Sequence, residues 1–200
     1  RDAQLKYSLC VTEALNDGAV LTLEAGTGTG KTQGYLIPVM DYLRLNPDER
    51  VMISTYTKSL QDQIHSREIP RTMALERDFR NIPVALLKGK SNYLCAEKLN
   101  SAFEEDLKGA QLLTWLYFAN LIFLFRHADG ETVGERVDRH LNTSPYFRRL
   151  HSEISAKTGC TGRHILCPAQ VARAEARSAR VVVTNHHKLA LIDLDEELSG

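Results

Sequence analysis

Gln4 to Leu15 alternates apolar and polar residues at helical spacing, and Asn16-Asp17-Gly18 ends the run with a left-handed cap. Ala19 to Leu23 then reads as a short apolar strand. Tyr35 to Leu45 reads as a helix that Pro38 should kink and Asn46-Pro47-Asp48 should close. Val51 to Thr55 is a second apolar strand, Lys58 to Glu68 a further helix, and Ile82 to Leu87 a third candidate strand. Strands and helices alternating at these lengths predict a parallel sheet covered on both faces. From Lys88 to about Cys167 the pattern turns mostly helical, punctuated at Gly109, Asp129-Gly130 and Ser144-Pro145. The alternation resumes with a helix that Pro168 can open and the β-branched strand Arg180 to Thr184. The expected fold class is therefore α/β, with residues 1–87 and 168–200 in one domain and residues 88–167 as a helical insertion. No internal repeat or low-complexity tract is present.

Ala110 to Phe125 is densely apolar and includes Trp115, Tyr117, Phe118, Phe123 and Phe125. At 16 residues, interrupted by Gln111, Thr114 and Asn120, it falls short of the roughly 20 residues of a membrane span. It is expected to be a buried helix, and no membrane partner is expected. The 200 residues carry 25 basic and 25 acidic side chains, so any nucleic-acid groove must be a local feature. Four unevenly spaced cysteines and no recognisable leader suggest a reducing, cytoplasmic setting. A start at Arg1 and a polar Ser-Gly end read as part of a longer chain, in which further domains would be partners.

Between the first strand and the following helix lies Glu24-Ala25-Gly26-Thr27-Gly28-Thr29-Gly30-Lys31-Thr32. Strand, glycine-rich loop, Gly-Lys-Thr and helix is the order of a P-loop, with Ala25 at the position where the stricter pattern has Gly. The loop from Gly26 through Thr27, Gly28 and Thr29 to Gly30 can turn its N–H groups around phosphates, and the helix adds unpaired amides and its dipole. Lys31 can reach the β- and γ-phosphates, and the Thr32 hydroxyl can ligate Mg²⁺.

A P-loop does not by itself separate motors from kinases or switches; four further segments do. Gln4 lies upstream of the loop. Ser54-Thr55-Tyr56-Thr57-Lys58-Ser59-Leu60-Gln61-Asp62-Gln63 follows the second strand, Leu87-Lys88-Gly89-Lys90-Ser91-Asn92-Tyr93-Leu94-Cys95 opens the insertion, and Thr184-Asn185-His186-His187 ends the last strand. Together they resemble the XPD/DinG-type branch of superfamily 2 DNA helicases. The resemblance implies a RecA-like motor domain that binds ATP, with Gln4 reading the adenine. It also implies sequence-independent contacts to single-stranded DNA and 5′ to 3′ movement. The contact residues would be Thr55, Thr57, Lys58, Gln61, Lys88, Lys90, Asn92, Tyr93, Asn185 and His186. The residues alone allow a plainer reading, in which Thr55 or Thr57 is a helix cap and His186 and His187 are ordinary packed or exposed histidines.

Two departures from the family pattern bear on function. The family's iron–sulfur domain has four cysteines, whereas this insertion offers Cys95, Cys160 and Cys167, with His164 or His151 as candidate substitutes. A cluster-free insertion is the first expectation; an iron–sulfur cluster and a Cys₃His zinc site stay open. The same deficit marks DinG-like proteins associated with type IV CRISPR systems, which implies a ribonucleoprotein partner and a prokaryotic setting. The second departure is the acidic run Asp193-Leu194-Asp195-Glu196. It is followed by Glu197-Leu198, where a DEAH box has Ala-His, so the catalytic carboxylates are expected beyond Gly200. Rival readings are a P-loop nucleotide kinase or switch, and a non-catalytic docking module using the Trp115 to Phe125 helix.

Overall fold

The β-branched runs assemble as parallel strands. In a computed structural model, which describes residues 2–103, 106–124, 144–156 and 167–191, three strands form one sheet: β1 (Val51–Thr55), β2 (Val84–Leu86) and β3 (Val181–Asn185). Their order is β1-β3-β2. Val51 pairs with Val181 and Thr55 with Asn185 on one side, and Val84 with Val181 and Leu86 with Val183 on the other. Every β3 residue is buried, as expected of a central strand covered on both faces. Of the four predicted strands, Val51–Thr55 has the expected bounds, the strand expected over Ile82 to Leu87 shortens to Val84–Leu86, and that over Arg180 to Thr184 shifts by one residue.

The predicted strand Ala19–Leu23 does not form. The segment follows α1 (Asp2–Asp17) as unpaired backbone, with Val20 fully exposed and Leu21 43% exposed. Apolar content marks a chain that can enter a sheet, but a strand needs a neighbouring edge to receive its N–H and C=O groups. No described strand lies beside this segment.

Helix α2 (Lys31–Leu45) runs through Pro38, which is buried. Proline has no N–H, so the carbonyl four residues earlier, at Gly34, loses its helical donor. The Ser8 hydroxyl of α1 donates to that carbonyl at 2.8 Å, and α1 is docked where the proline left an acceptor. At the far end, the Asn46 side-chain amide and backbone N–H both donate to Tyr42 O. After β1 the chain continues as α3 (Lys58–Gln63), a π-turn (Ile64–Glu68) and α4 (Ile69–Met73).

Leu36, Met40 and Leu43 of α2 pack with Ile53, Ile64, Val181 and Val183 against one face of the sheet. On the other face Val182 meets Ala85, Leu87, Ala176 and Ala179. Two arginines clamp the strand starts. Arg50 Nε donates to Ala179 O at 3.0 Å and its Nη2 to Ala176 O at 2.6 Å. Arg180 Nη2 donates to Leu43 O at 2.7 Å and to Asn46 O, and its Nε to Glu49 O at 3.1 Å.

The chain divides into two compact units, Arg1–Leu87 with Ala176–Gly200, and Lys88–Glu175. In the second unit, α5 (Ala96–Ser101), α6 (Ala110–Leu124) and α7 (Pro145–Ile154) share a core of Leu94, Leu99, Phe118, Ile122, Leu150 and Ile154. Helix α6, expected as a buried helix, is buried in part. It buries Thr114, Phe118, Ala119 and Ile122, but Leu113, Leu116 and Phe123 stay 59%, 42% and 64% exposed. Its apolar residues cover the whole circumference, while its neighbours cover one side. Among the described residues no helix is long and apolar enough to cross a membrane. Helices α8 (Pro168–Ser178) and α9 (His186–Leu191) flank β3 in sequence.

Candidate nucleotide and nucleic-acid sites

The glycine-rich loop is bent by left-handed backbone at Gly28 (φ 76°) and Gly30 (φ 78°), conformations that cost an L side chain energy. Thr29 Oγ1 donates to Gly26 O at 2.9 Å. The Lys31 ammonium donates to the carbonyls of Ala25 and, at 3.0 Å, Gly26. It therefore sits on the inner side of the bend. Helix α2 starts at Lys31 and is 15 residues long, so its first amides and its dipole point at the same place. Gln4 reaches this loop, and its Nε2 donates to Gly30 O at 3.1 Å. A Cβ on Gly30 would stand 2.5 Å from that nitrogen. Thr32 is half-buried at the first turn.

One residue further, Gln33 joins a network that sequence reasoning missed. Its Nε2 donates to Glu68 Oε2 at 3.1 Å, and its Oε1 accepts from Thr72 Oγ1 at 2.9 Å. The Gln33 amide foremost holds the Glu68 carboxyl below the usual carboxylate range, assisted by Gln63 and the nearby Arg71 and Arg67. Burial, then the charges of Tyr7 and Glu68, push Tyr35 up to about 12. Glu68 ends the π-turn, an irregularity that hydrophobic spacing does not reveal.

At the carboxyl ends of β1 and β3 the predicted nucleic-acid residues divide by exposure. Thr57 is exposed and caps α3, its hydroxyl accepting from Leu60 N–H at 3.2 Å. Lys58 is half-buried. Thr55 is buried, and its Oγ1 donates to Thr57 O at 2.9 Å. Gln61 departs from the expectation. It is fully buried, donating to Leu87 O at 3.0 Å and Val183 O at 3.3 Å, and a strand of DNA cannot touch it. Asn185 is also buried, and its Oδ1 accepts from Lys188 N–H at 2.7 Å to hold the turn into α9. His186 and His187 are exposed. Ser54 Oγ lies 2.7 Å from His186 Nδ1, and the Tyr56 ring centroid is 6.4 Å from that of His186. Neither Ser54 nor Tyr56 was singled out from the sequence, although an aromatic between two threonines at a strand end was a usable signal.

In the other unit, Lys88 and Tyr93 are 1% and 3% exposed, and the Lys88 N–H donates to the Tyr93 hydroxyl at 3.0 Å. Tyr93, expected as a DNA contact, is thus a core residue. Lys90 is half-buried, and Asn92 Nδ2 donates to Gly89 O at 2.9 Å. Cys95 and Cys167 are buried; Cys160, His164, Asp193, Asp195 and Glu196 lie outside the described residues. His151 stacks on Phe118 and Phe147 at 5.9 and 6.3 Å, its Nε2 is buried with no hydrogen-bond partner among the described residues, and burial lowers its pKa. Among the described residues no three His, Cys, Asp or Glu side chains are grouped to hold a metal ion.

A parallel α/β sheet with a Gly-Lys-Thr loop opening a helix defines a nucleotide-binding domain of RecA-like type. The DEAD/DEAH box helicase family matches residues 7–104, and over that stretch the chain carries the pattern of these helicase domains. It is 35% identical to the ATP-dependent DNA helicase YoaA of Escherichia coli (strain K12), over 100% of this chain and 30% of that protein. It is 32% identical to the ATP-dependent helicase DinG of Mycobacterium tuberculosis (strain ATCC 25618 / H37Rv), over 96% of this chain and 31% of that protein. It is 30% identical to the 3′-5′ exonuclease DinG of Bacillus subtilis (strain 168), over 94% of this chain and 20% of that protein. The chain therefore spans under a third of the length of these relatives.

Proposed function

We propose that this chain is the ATP-binding motor portion of a DNA helicase of the XPD/DinG type, moving 5′ to 3′ along single-stranded DNA. The observation that carries this reading is the Lys31 ammonium held inside a bend whose two left-handed glycines lead into α2. That arrangement fits a triphosphate. N–H groups of the loop and the first turn of α2 meet the phosphate oxygens, Lys31 exchanges its carbonyl partners for the β- and γ-phosphates, and Thr32 offers its hydroxyl to Mg²⁺. ATP supplies the phosphoanhydride whose hydrolysis drives the cycle. Gln4, already on the loop, reads the adenine by donating and accepting one hydrogen bond each.

On the DNA side, Thr57, Lys58 and His186 meet the strand, while Thr55, Gln61 and Asn185 shape the loops that present them. Within the insertion, Lys90 and Asn92 are separate candidates for phosphate contact. Residues 1–87 and 168–200 act as the first motor domain. Residues 88–167 act as an insertion without an iron–sulfur cluster or zinc; three cysteines in the insertion, where the family has four, support this. A brown, iron-containing protein after anaerobic purification would overturn that part. The cysteine deficit also supports action with a type IV CRISPR ribonucleoprotein in a bacterial cytoplasm. Pull-down of the complex with and without residues 88–167 tests that association.

The principal test is Lys31→Ala in the full chain, with nucleotide binding and DNA-stimulated hydrolysis as readouts. Loss of both with an unchanged melting temperature is expected. ATP binding equal to the unmodified chain would overturn the proposal. A docking role for the insertion has one observation in its favour, the exposed Leu113, Leu116 and Phe123 on α6, and the same pull-down separates it from the motor reading.

A further inference from the structure

Among the described residues Phe79, Tyr93, Phe118 and Phe147 are 0–5% exposed, while Phe103 and Phe123 are 46% and 64% exposed. Tyr56 is 85% exposed, more than any other aromatic ring among the described residues. A ring left in water at a fixed place forgoes the burial that drives folding, which calls for a use outside the fold.

Its surroundings hold it in place. Thr55, immediately before, is buried, and its hydroxyl donates to Thr57 O across Tyr56 at 2.9 Å. Thr57, immediately after, is fixed as the cap of α3. The backbone on both sides of the ring is thereby pinned. Beside it His186, from the end of the neighbouring strand, is oriented by Ser54 at 2.7 Å, with the two rings 6.4 Å apart at 53°. Both rings stand at the carboxyl edge of parallel strands, where ligands of open α/β sheets collect. Aromatic faces take any base by stacking, and so bind single strands without reading sequence.

We propose that Tyr56, with His186 beside it, is a stacking platform for one unpaired base of the bound strand. The proposal rests on the single-strand reading above and adds to it a contact with a base, where the other contacts are to the backbone. A duplex cannot use it, because its bases are already stacked on one another.

The test is titration of the full chain with a thymidine oligonucleotide carrying 2-aminopurine, and with a fully abasic oligonucleotide of equal length, for the unmodified protein, Tyr56→Ala and Tyr56→Phe. Tyr56→Ala should weaken binding of the base-containing strand about tenfold. Tyr56→Phe should keep it, both variants should bind the abasic strand like the unmodified chain, and the salt dependence should not change. Equal affinity of Tyr56→Ala and the unmodified chain for the base-containing strand would overturn the platform, as would an equal loss on the abasic strand. If the unmodified chain binds neither oligonucleotide, the single-strand reading itself fails, and the platform with it.

Discussion

Changing Gly30 to Ala perturbs the fold and the nucleotide site at one atom. At φ 78° an L side chain costs about 1–2 kcal/mol. The new Cβ would lie 2.5 Å from Gln4 Nε2 and 2.9 Å from Gln4 Cδ, so the end of that flexible side chain must swing away. Its exposed hydrogen bond to Gly30 O is then lost, at the low end of the usual range, about 0.5 kcal/mol. The sum is about 2 kcal/mol, or a fall in melting temperature of about 4–8 °C for a chain of this size. The functional effect should be larger. Relief of the strain rotates the peptide that leads into Lys31, and each charge-assisted amide contact to phosphate is worth about 1.5–3 kcal/mol. ATP affinity should therefore fall by about tenfold or more. Urea unfolding followed by circular dichroism gives the first quantity, and titration with a fluorescent ATP analogue the second. Gln4→Ala in the same background should return neither stability nor affinity, because it lacks the same hydrogen bond and leaves the φ strain in place. A Gly30→Ala protein that melts and binds ATP like the unmodified chain would show that the left-handed bend is not what forms the cradle.

Ser8→Ala should cost about 1–3 kcal/mol, because it strands the Gly34 carbonyl that Pro38 cannot reach; in a Pro38→Ala background the penalty should shrink, since the helix then supplies its own donor, and a double-mutant cycle reads the difference. Arg180→Ala removes the bonds to Leu43, Asn46 and Glu49 carbonyls and should destabilise the chain by about 2–4 kcal/mol, measured by urea midpoint, with Arg180→Lys recovering less than half. Burial keeps His151 neutral in the folded state, so its stability contribution is complete above the ordinary histidine pKa of about 6.5 and lost as pH falls toward the lowered folded value, by up to about 1.4 kcal/mol per pH unit. His151→Phe should therefore flatten the stability profile below about pH 6.5, and an unchanged slope would refute the assignment.

Much of the scaffold was readable from residue pattern. Val51–Thr55 and the β-branched run after Arg180 are strands because their side chains fit a pleated, buried surface, and the Gly-Lys-Thr loop bends where its glycines permit. Legibility failed where a property is set by distant chain. Ala19–Leu23 has strand composition and no strand beside it. Gln61 and Tyr93 have the chemistry of a DNA contact, yet the first satisfies carbonyls of two strands and the second closes on the Lys88 amide. Nothing within a few residues of either distinguishes inside from outside. Tyr56 shows the converse error, for its flanking threonines disguise a ring that both of them hold outward. The π-turn was invisible because one extra residue in a helical turn leaves the apolar spacing nearly intact.

Of the three described strands, the middle one, β3, comes last in the sequence. Strands β1 and β2 share no edge with each other, so neither can pair until β3 arrives after the whole insertion. Closing so long a loop places the core late in folding and makes it slow, while the neighbouring helices α5 to α7 can settle from contacts much closer in sequence. Leu87 and Ala176, the residues of the first compact unit that flank the second in sequence, pack in one cluster. A helical unit that folds early and returns the chain to its point of departure would shorten the search for β3. Lesions in residues 88–175 would then reduce the yield of native motor domain more than its equilibrium stability.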